Sequence, residues 1–259
     1  MRETAYAKLN LALHVRAREP DGYHRIETVF AFCEDGDVLI GHESDRLTLD
    51  LTGPFARELA AEPDNLVLRA AAALGARVAF SLDKKLPLAS GLGGGSADAA
   101  AALRLIARMR GLAYEDVFPF AAGLGADVPA CFFSQSARGD GRGDELEPLD
   151  EDLTGMPVLL VNPRRPLSTA AVFGAWGGQD GGPLGHWRDG RNDLETPAIA
   201  LVPEIRNVME ALAGATVARM SGSGATCFGL FDSEADRDRV AARIAAAHPD
   251  WWLSQTRLR

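Results

Sequence analysis

The 259-residue sequence predicts a fold that mixes α-helices with β-strands, and three observations carry that expectation. Residues 4–15 alternate apolar and polar side chains, the period of a half-buried strand. Four glycines crowd positions 91, 93, 94 and 95 and lead straight into an Ala-rich run from Ser96 to Arg108 that reads as a strong helix. Met156 to Asn162 is a short continuous apolar run, as in a buried strand that could open a second domain.

The remaining elements follow in order. Pro20-Asp-Gly22 is a turn signal. Residues 25–32, 37–42 and 47–51 read as further strands, so the early region is β-rich. Helical spacing covers Asn65 to Leu74, and residues 77–82 form a short strand entering the glycines. A second helical stretch spans Tyr114 to Leu124 and breaks at Gly125-Ala-Asp-Val-Pro129. Residues 136–148 are Gly- and charge-rich and are expected to pair short strands. Residues 174–192 read as a surface loop, with helices near 201–212 and 234–247. Between those helices lie residues 216–220, the turn Ser221-Gly-Ser-Gly224 and a strand from Ala225 to Phe231, and residues 251–256 close the chain as a strand.

Composition narrows the class. The chain is 47% hydrophobic and 24% charged, and no run approaches the 18 or so apolar residues of a membrane span. The first ten residues lack the apolar core of a signal peptide. Cys33, Cys131 and Cys227 lie far apart in apolar settings, which predicts buried free thiols, no metal centre and a reducing cytoplasm. A net charge of −9, dispersed along the chain, speaks against nucleic acid as a partner, and no membrane partner is expected. His14, His42, His186 and His248 have no metal-type spacing.

The glycine-rich turn is the chemically informative feature. Glycines remove side chains where something approaches the backbone, and a helix N-terminus offers free N–H groups to an anion. Phosphate is the expected guest; a turn that serves tight packing alone is the plainer alternative. Two common phosphate loops are excluded. No Lys follows the glycines as the P-loop requires, and Ser96 stands where the dinucleotide fingerprint needs its third Gly.

Three separated segments then belong together: the N-terminal strand with Lys8 and Asn10, the loop Pro87 to Asp98, and Ser221-Gly-Ser-Gly-Ala-Thr226. This set resembles the GHMP kinase superfamily of small-molecule kinases, whose middle motif is P-x-x-x-G-L-G-S-S-A. The chain is most similar to the branch whose acceptor is a cytidine diphosphate-linked methylerythritol. Ala7-Lys-Leu-Asn-Leu-Ala-Leu13, Asp21-Gly-Tyr-His24, Pro63-Asp-Asn-Leu66, Gly91-Leu-Gly-Gly-Gly-Ser96, Gly125-Ala-Asp-Val-Pro129 and Gly141-Arg-Gly-Asp144 carry that similarity along nearly the whole chain. Ala97 stands where the family often has a second Ser, and Asp144 where it commonly has Glu.

The resemblance implies an α+β, two-domain fold: an N-terminal ATP-binding domain over residues 1–150, a smaller C-terminal α/β-sandwich domain over residues 151–259, and an active site in the cleft between them. It implies a cytoplasmic enzyme, dependent on ATP and Mg2+, that phosphorylates the acceptor's 2-hydroxyl in non-mevalonate isoprenoid precursor synthesis. Lys8 and Asp127 are the implied catalytic pair. By residue type alone, Lys8 is an ammonium amid apolar neighbours that wants a carboxylate or phosphate, or else an edge-strand Lys facing solvent. Asp127 is a fixed turn carboxylate or simply a helix cap. ATP falls to Pro87, Leu88, Ala89, Ser90, Gly91, Leu92, Gly93, Gly94, Gly95, Ser96 and Ala97, with Ser96 on Mg2+ or the β-phosphate. The small-molecule substrate falls to Asn10 and Thr169, with Tyr23 and Phe173 stacking on its base and His24 at the cytosine edge. Sibling kinases acting on homoserine or mevalonate would have no use for a base-binding Asp21-Gly-Tyr-His24. A ligand sensor without turnover and a nicotinamide-dependent oxidoreductase are weaker alternatives.

Overall fold

In the computed structural model of the chain, residues 1–59 and 64–259 are described. Pro63 of the Pro63-Asp-Asn-Leu66 motif therefore lies outside the described residues. Contacts divide the chain into two compact units. One holds Met1–Ala7, Asp35–Leu88 and Gly93–Ser134; the other holds Lys8–Glu34, Ala89–Leu92 and Gln135–Arg259. A single cut at residue 150 does not describe this division, because residues 8–34 and 135–150 group with the C-terminal half. The reason is strand length. The strands Arg2–Arg18 and His24–Glu43 pair with each other, and each supplies residues to both units.

The His24–Glu43 strand replaces the two strands expected over 25–32 and 37–42. The strand runs without a break through residues 33–36, which separate those two expected strands. A Cβ on Gly36 would stand 1.9 Å from the Ala5 carbonyl oxygen, so glycine is what lets the backbones approach there.

In the first unit, Val78–Asp83 pairs antiparallel with residues 38–43 and parallel with Thr48–Thr52. Its core helix is Gly94–Arg110, buried along residues 97–107. The small Ala side chains of this helix let Leu66–Ala73 and Val128–Phe133 pack closely on it. Leu66–Ala73 is capped by Asn65, whose side chain accepts from the Val67 N–H at 2.8 Å. The stretch expected over 114–124 is two single turns, Tyr114–Val117 and Pro119–Ala122. Pro119 cannot continue a helix but starts one well.

In the second unit, Ala137–Asp140 and Glu145–Pro148 form the expected hairpin, and Ala137–Asp140 also pairs with residues 28–30. A four-stranded antiparallel sheet runs in the order Trp252–Arg257, Pro157–Asn162, Cys227–Leu230, Val217–Met220. The helices Glu204–Ala211 and Glu234–Ala247 pack on it, closing a core that includes Leu159, Val161, Ile205, Val208 and Ile244. The helix expected near 201–212 is Glu204–Ala211, with Pro203 at its N-cap, and a separate helix that was not expected, Glu195–Leu201, precedes it. Residues 174–192 are not simply a surface loop. Leu184 and Trp187 are buried, and the Trp187 indole N–H donates to Glu151 at 2.7 Å.

The three cysteines are buried and none is in a disulfide. Among the described residues no helix is long and apolar enough to cross a membrane.

Candidate active site

The turn at residues 90–92 is stitched to both ends of the chain by its own backbone. The Ser90 carbonyl accepts from the Thr226 N–H at 3.0 Å, and the Leu92 carbonyl accepts from the Lys8 N–H at 2.9 Å. Ser221 Oγ donates to the Gly91 carbonyl at 2.9 Å and accepts from the Asn10 N–H at 3.2 Å. Gly91 has φ +78°, and a Cβ there would lie 2.2 Å from the Ser221 carbonyl oxygen, so no other residue fits without movement. The opposing turn is fixed in turn by Asn192, whose Nδ2 donates to the Met220 and Gly222 carbonyls at 2.7 and 2.8 Å. The three segments grouped from sequence, around Asn10, Gly91 and Ser221, therefore converge in the second unit.

The glycines beyond this turn belong to the first unit and open the Gly94–Arg110 helix. Gly93 is its N-cap in the left-handed region and supplies no side chain to the first N–H groups. Those of Gly94, Gly95 and Ser96 have no acceptor within the helix, as is usual for the first turn. The Ala97 N–H, in contrast, already donates to the Gly93 carbonyl at 2.8 Å. Pro87 and Ser90 are buried, whereas Ala89 is exposed with φ +46°.

Beneath this helix end sits a buried ion triad. Lys84, only 2% exposed, donates to Asp37 Oδ2 at 2.5 Å and to Asp98 Oδ2 at 2.7 Å. Asp37 Oδ1 also accepts from the Lys85 and Leu86 N–H groups at 2.6 and 2.8 Å. A Cβ on Gly94 would stand 3.0 Å from the Lys84 ammonium, which sets the charge directly under the first helical residue. Burial pushes the Asp98 carboxyl up to about 7; Lys84 opposes that rise and the like charge of Asp37 adds to it. Burial works against the charged Lys84, but Asp98 and Asp37 outweigh it and hold its pKa above the ordinary lysine value.

Lys8 is 4% exposed, so it is not a solvent-facing edge lysine. Its Nζ donates to Asn10 Oδ1 at 2.8 Å and lies 5.2 Å from the Phe30 ring centroid. Asn10 passes the chain on, its Nδ2 donating to Thr28 Oγ1 at 2.8 Å, and Thr28 donates to the Ala12 carbonyl at 2.6 Å. Both buried side chains are thus held in one orientation.

Asp127 stands at the N-cap of Val128–Phe133, yet its side chain makes no capping hydrogen bond. A structural cap therefore does not account for that carboxylate. The short helix is anchored at its other end by Arg104, which donates to the Cys131 and Phe132 carbonyls at 2.8 and 3.1 Å.

The residues expected at the acceptor base lie in two groups of the second unit. The His24 ring packs on Phe173, with centroids 4.9 Å apart, and meets Trp176 edge-on at 5.6 Å. Burial, then the Arg18 charge, lowers the His24 pKa below 6.5, so the ring is neutral at pH 7 and keeps one donor and one acceptor nitrogen. Tyr23 is 54% exposed, with the Arg142 guanidinium 3.9 Å from its ring centroid. Thr169 Oγ1 lies 2.8 Å from Ser223 Oγ, which ties it to the Ser221–Thr226 turn.

Residues 65–135 match the family described as GHMP kinases N terminal domain, and residues 179–250 match GHMP kinases C terminal. A 4-diphosphocytidyl-2-C-methyl-D-erythritol kinase of Rhizorhabdus wittichii is 55% identical to this chain, covering 99% of it and 94% of that protein. The enzyme of the same name from Erythrobacter litoralis is 50% identical over 96% of each. The chain belongs to the 4-diphosphocytidyl-2-C-methyl-D-erythritol kinase family. A crystal structure of 4-(cytidine 5'-diphospho)-2C-methyl-D-erythritol kinase superposes with a TM-score of 0.83 at 32% identity, covering 99% of both chains. Homoserine kinase from Cytophaga hutchinsonii, at 17% identity and a TM-score of 0.69, shares the fold. The fold is accordingly the α+β GHMP kinase fold, and the chain is an enzyme, a kinase that takes ATP as its phosphate donor.

Several residues that organise this 4-diphosphocytidyl-2-C-methyl-D-erythritol kinase family member escape a sequence reading. Lys84 and Asp37 are 47 residues apart and form their pair only in the folded chain. Thr28, Asn162 and Asn192 are ordinary polar residues in sequence, yet each is buried. The one signal available was charge at positions framed by apolar neighbours, as at Asp37, between Gly36 and Val38.

Proposed function

We propose that this kinase moves the terminal phosphoryl group of ATP onto the 2-hydroxyl of 4-diphosphocytidyl-2-C-methyl-D-erythritol, with Lys8 and Asp127 as the catalytic pair. The observation that carries this is Lys8: an ammonium withdrawn from water, oriented by Asn10, and registered by its own N–H on the Leu92 carbonyl of the glycine-rich loop. A buried ammonium is costly unless it is paired, and phosphoryl oxygens are partners of the kind it suits.

Phosphoryl transfer needs little covalent help from the protein; positioning and charge stabilisation dominate. Asp127 accepts the proton of the acceptor hydroxyl as the new P–O bond forms. Lys8 offsets the charge that develops on the transferred group. The Pro87–Ala97 segment holds the ATP phosphates, chiefly through the N–H groups of Gly94, Gly95 and Ser96. Among the described residues no three His, Cys, Asp or Glu side chains are arranged around a metal, and the Asp98 carboxylate is committed to Lys84. This donor set fits Mg2+ arriving on the phosphates, with the Ser96 hydroxyl offered by the loop, since Mg2+ usually keeps few protein ligands beside the nucleotide. Bound there, the ion would neutralise phosphate charge.

On the acceptor, Asn10 and Thr169 meet the methylerythritol part, Tyr23 and Phe173 stack on the base, and neutral His24 offers its two nitrogens to the cytosine edge. The enzyme works on a small molecule in the cytoplasm, in non-mevalonate isoprenoid precursor synthesis. Phosphorus NMR of the reaction with ATP tests the chemistry. The expected products are ADP and one new phosphomonoester on the 2-hydroxyl, with the acceptor's diphosphate bridge intact. A new signal at another hydroxyl would overturn the proposed acceptor geometry.

A further inference from the structure

The segment Gly141-Arg-Gly-Asp144 has no part in the chemistry described so far. Its arginine nevertheless holds a defined place beside Tyr23. The Arg142 guanidinium carbon lies 3.9 Å from the centroid of the Tyr23 ring, and Arg142 Nη2 donates to Asp21 Oδ2 at 2.5 Å. The other Asp21 oxygen accepts from the Tyr23 N–H at 3.0 Å, so one carboxylate fixes both stacking partners. The turn that carries the tyrosine is closed by the Glu19 N–H on the Tyr23 carbonyl at 2.8 Å. The two turns are joined by the Ile26 N–H on the Gly141 carbonyl at 2.8 Å, and Asp144 Oδ1 accepts from the Arg142 N–H at 3.1 Å. That last bond uses the short Asp side chain at the position where the family commonly has Glu.

We propose that Arg142 is a specificity-determining residue for the nucleobase of the acceptor: clamped by Asp21, it covers one face of Tyr23 and presents the other face to the base, an inference that rests on the base-stacking role of Tyr23 proposed above. A planar guanidinium stacks on an aromatic ring where a lysine ammonium cannot, and its charge draws electron density toward the covered face. The opposite face then suits the π-system of a base. The clamp also fixes the tyrosine before the ligand arrives, which removes an ordering cost from binding. A tyrosine more than half exposed would otherwise sample several rotamers.

Steady-state kinetics on Arg142→Ala, Arg142→Lys, Asp21→Asn and Tyr23→Ala test this, together with calorimetric binding of cytidine 5'-diphosphate and of ATP to each. Arg142→Ala should raise the acceptor KM and the cytidine diphosphate Kd by roughly tenfold, the size expected for losing a partly desolvated cation–π stack. Its kcat and its affinity for ATP should stay within about a factor of two, the signature of lost ground-state binding. Arg142→Lys and Asp21→Asn should fall between the wild type and Arg142→Ala. If Tyr23→Ala leaves cytidine diphosphate binding unchanged, the stacking role of Tyr23 fails and the inference falls with it. If Tyr23→Ala weakens binding and the Arg142 variants do not, the inference alone is overturned. A fall in kcat, ATP affinity and thermal stability together in the Arg142 variants would mark a purely structural residue and overturn it equally.

Discussion

Ser221 Oγ donates to the Gly91 carbonyl at 2.9 Å, joining residues 130 apart in sequence, and it accepts from the Asn10 N–H at the same time. One hydroxyl thus serves the glycine-rich loop and the strand that carries Lys8. Ser221→Ala should leave the buried Asn10 N–H and the part-buried Gly91 carbonyl without this partner, at a cost of ~1–3 kcal/mol. Urea unfolding will read the loss, and the KM for ATP should rise with it. Gly91→Ala should be worse, because its methyl would collide with the Ser221 carbonyl oxygen; a variant as stable as the wild type would contradict that account of the turn.

Asp127 occupies an N-cap without capping through its side chain. Asp127→Asn should lower kcat by roughly 10²–10⁴, the usual worth of a positioned general base. Lys8→Met should lose activity on a similar scale. Turnover of Asp127→Asn at the wild-type rate would remove Asp127 from the catalytic pair.

The triad of Lys84, Asp37 and Asp98 gives a stability that depends on pH. The folded-state pKa of Asp98, about 7, lies above its ordinary 3.8, so the folded chain holds a proton that the unfolded chain releases. The stability this supplies is complete below the ordinary value and is lost as pH rises through about 7. In that window the limiting slope is ~1.4 kcal/mol per pH unit. Urea midpoints for wild type and Asp98→Asn, compared from pH 5 to about 8, should diverge with this sign. Parallel curves would exclude the triad as the source.

His24 is neutral at pH 7 because burial, and then Arg18, disfavours its charged form. Acidification should protonate it and remove the acceptor nitrogen. The acceptor KM is expected to rise as pH drops below the ordinary histidine value, while the ATP KM follows a different course. Gln at position 24 should abolish that pH dependence. An unchanged profile in His24→Gln would detach His24 from the acceptor.

Much of this was legible in the sequence, for identifiable reasons. Local periodicity and turn chemistry located the Gly94–Arg110, Leu66–Ala73 and Glu234–Ala247 helices, because each depends on neighbours within a few residues. The apolar neighbours of Lys8 left a solvent-facing edge lysine open as an alternative, and its burial decides against that. What stayed hidden depends on distant partners. Nothing local marks Gly36 for its close approach to the Ala5 carbonyl, or Lys84 for burial between Asp37 and Asp98. Trp187 lies in a stretch without periodicity, and only Glu151 and the surrounding core explain its burial. The division into units was equally hidden, since two strands long enough to serve both leave no mark at residue 150.

The central claim is that this kinase fold is directed at a cytidine-bearing acceptor. Initial rates of ADP release, with ATP and Mg2+ at saturation, test it most directly when 4-diphosphocytidyl-2-C-methyl-D-erythritol, homoserine and mevalonate are offered in turn. Turnover with the cytidyl compound, and background rates with the other two, is the predicted result; equal or faster turnover with homoserine or mevalonate would contradict it.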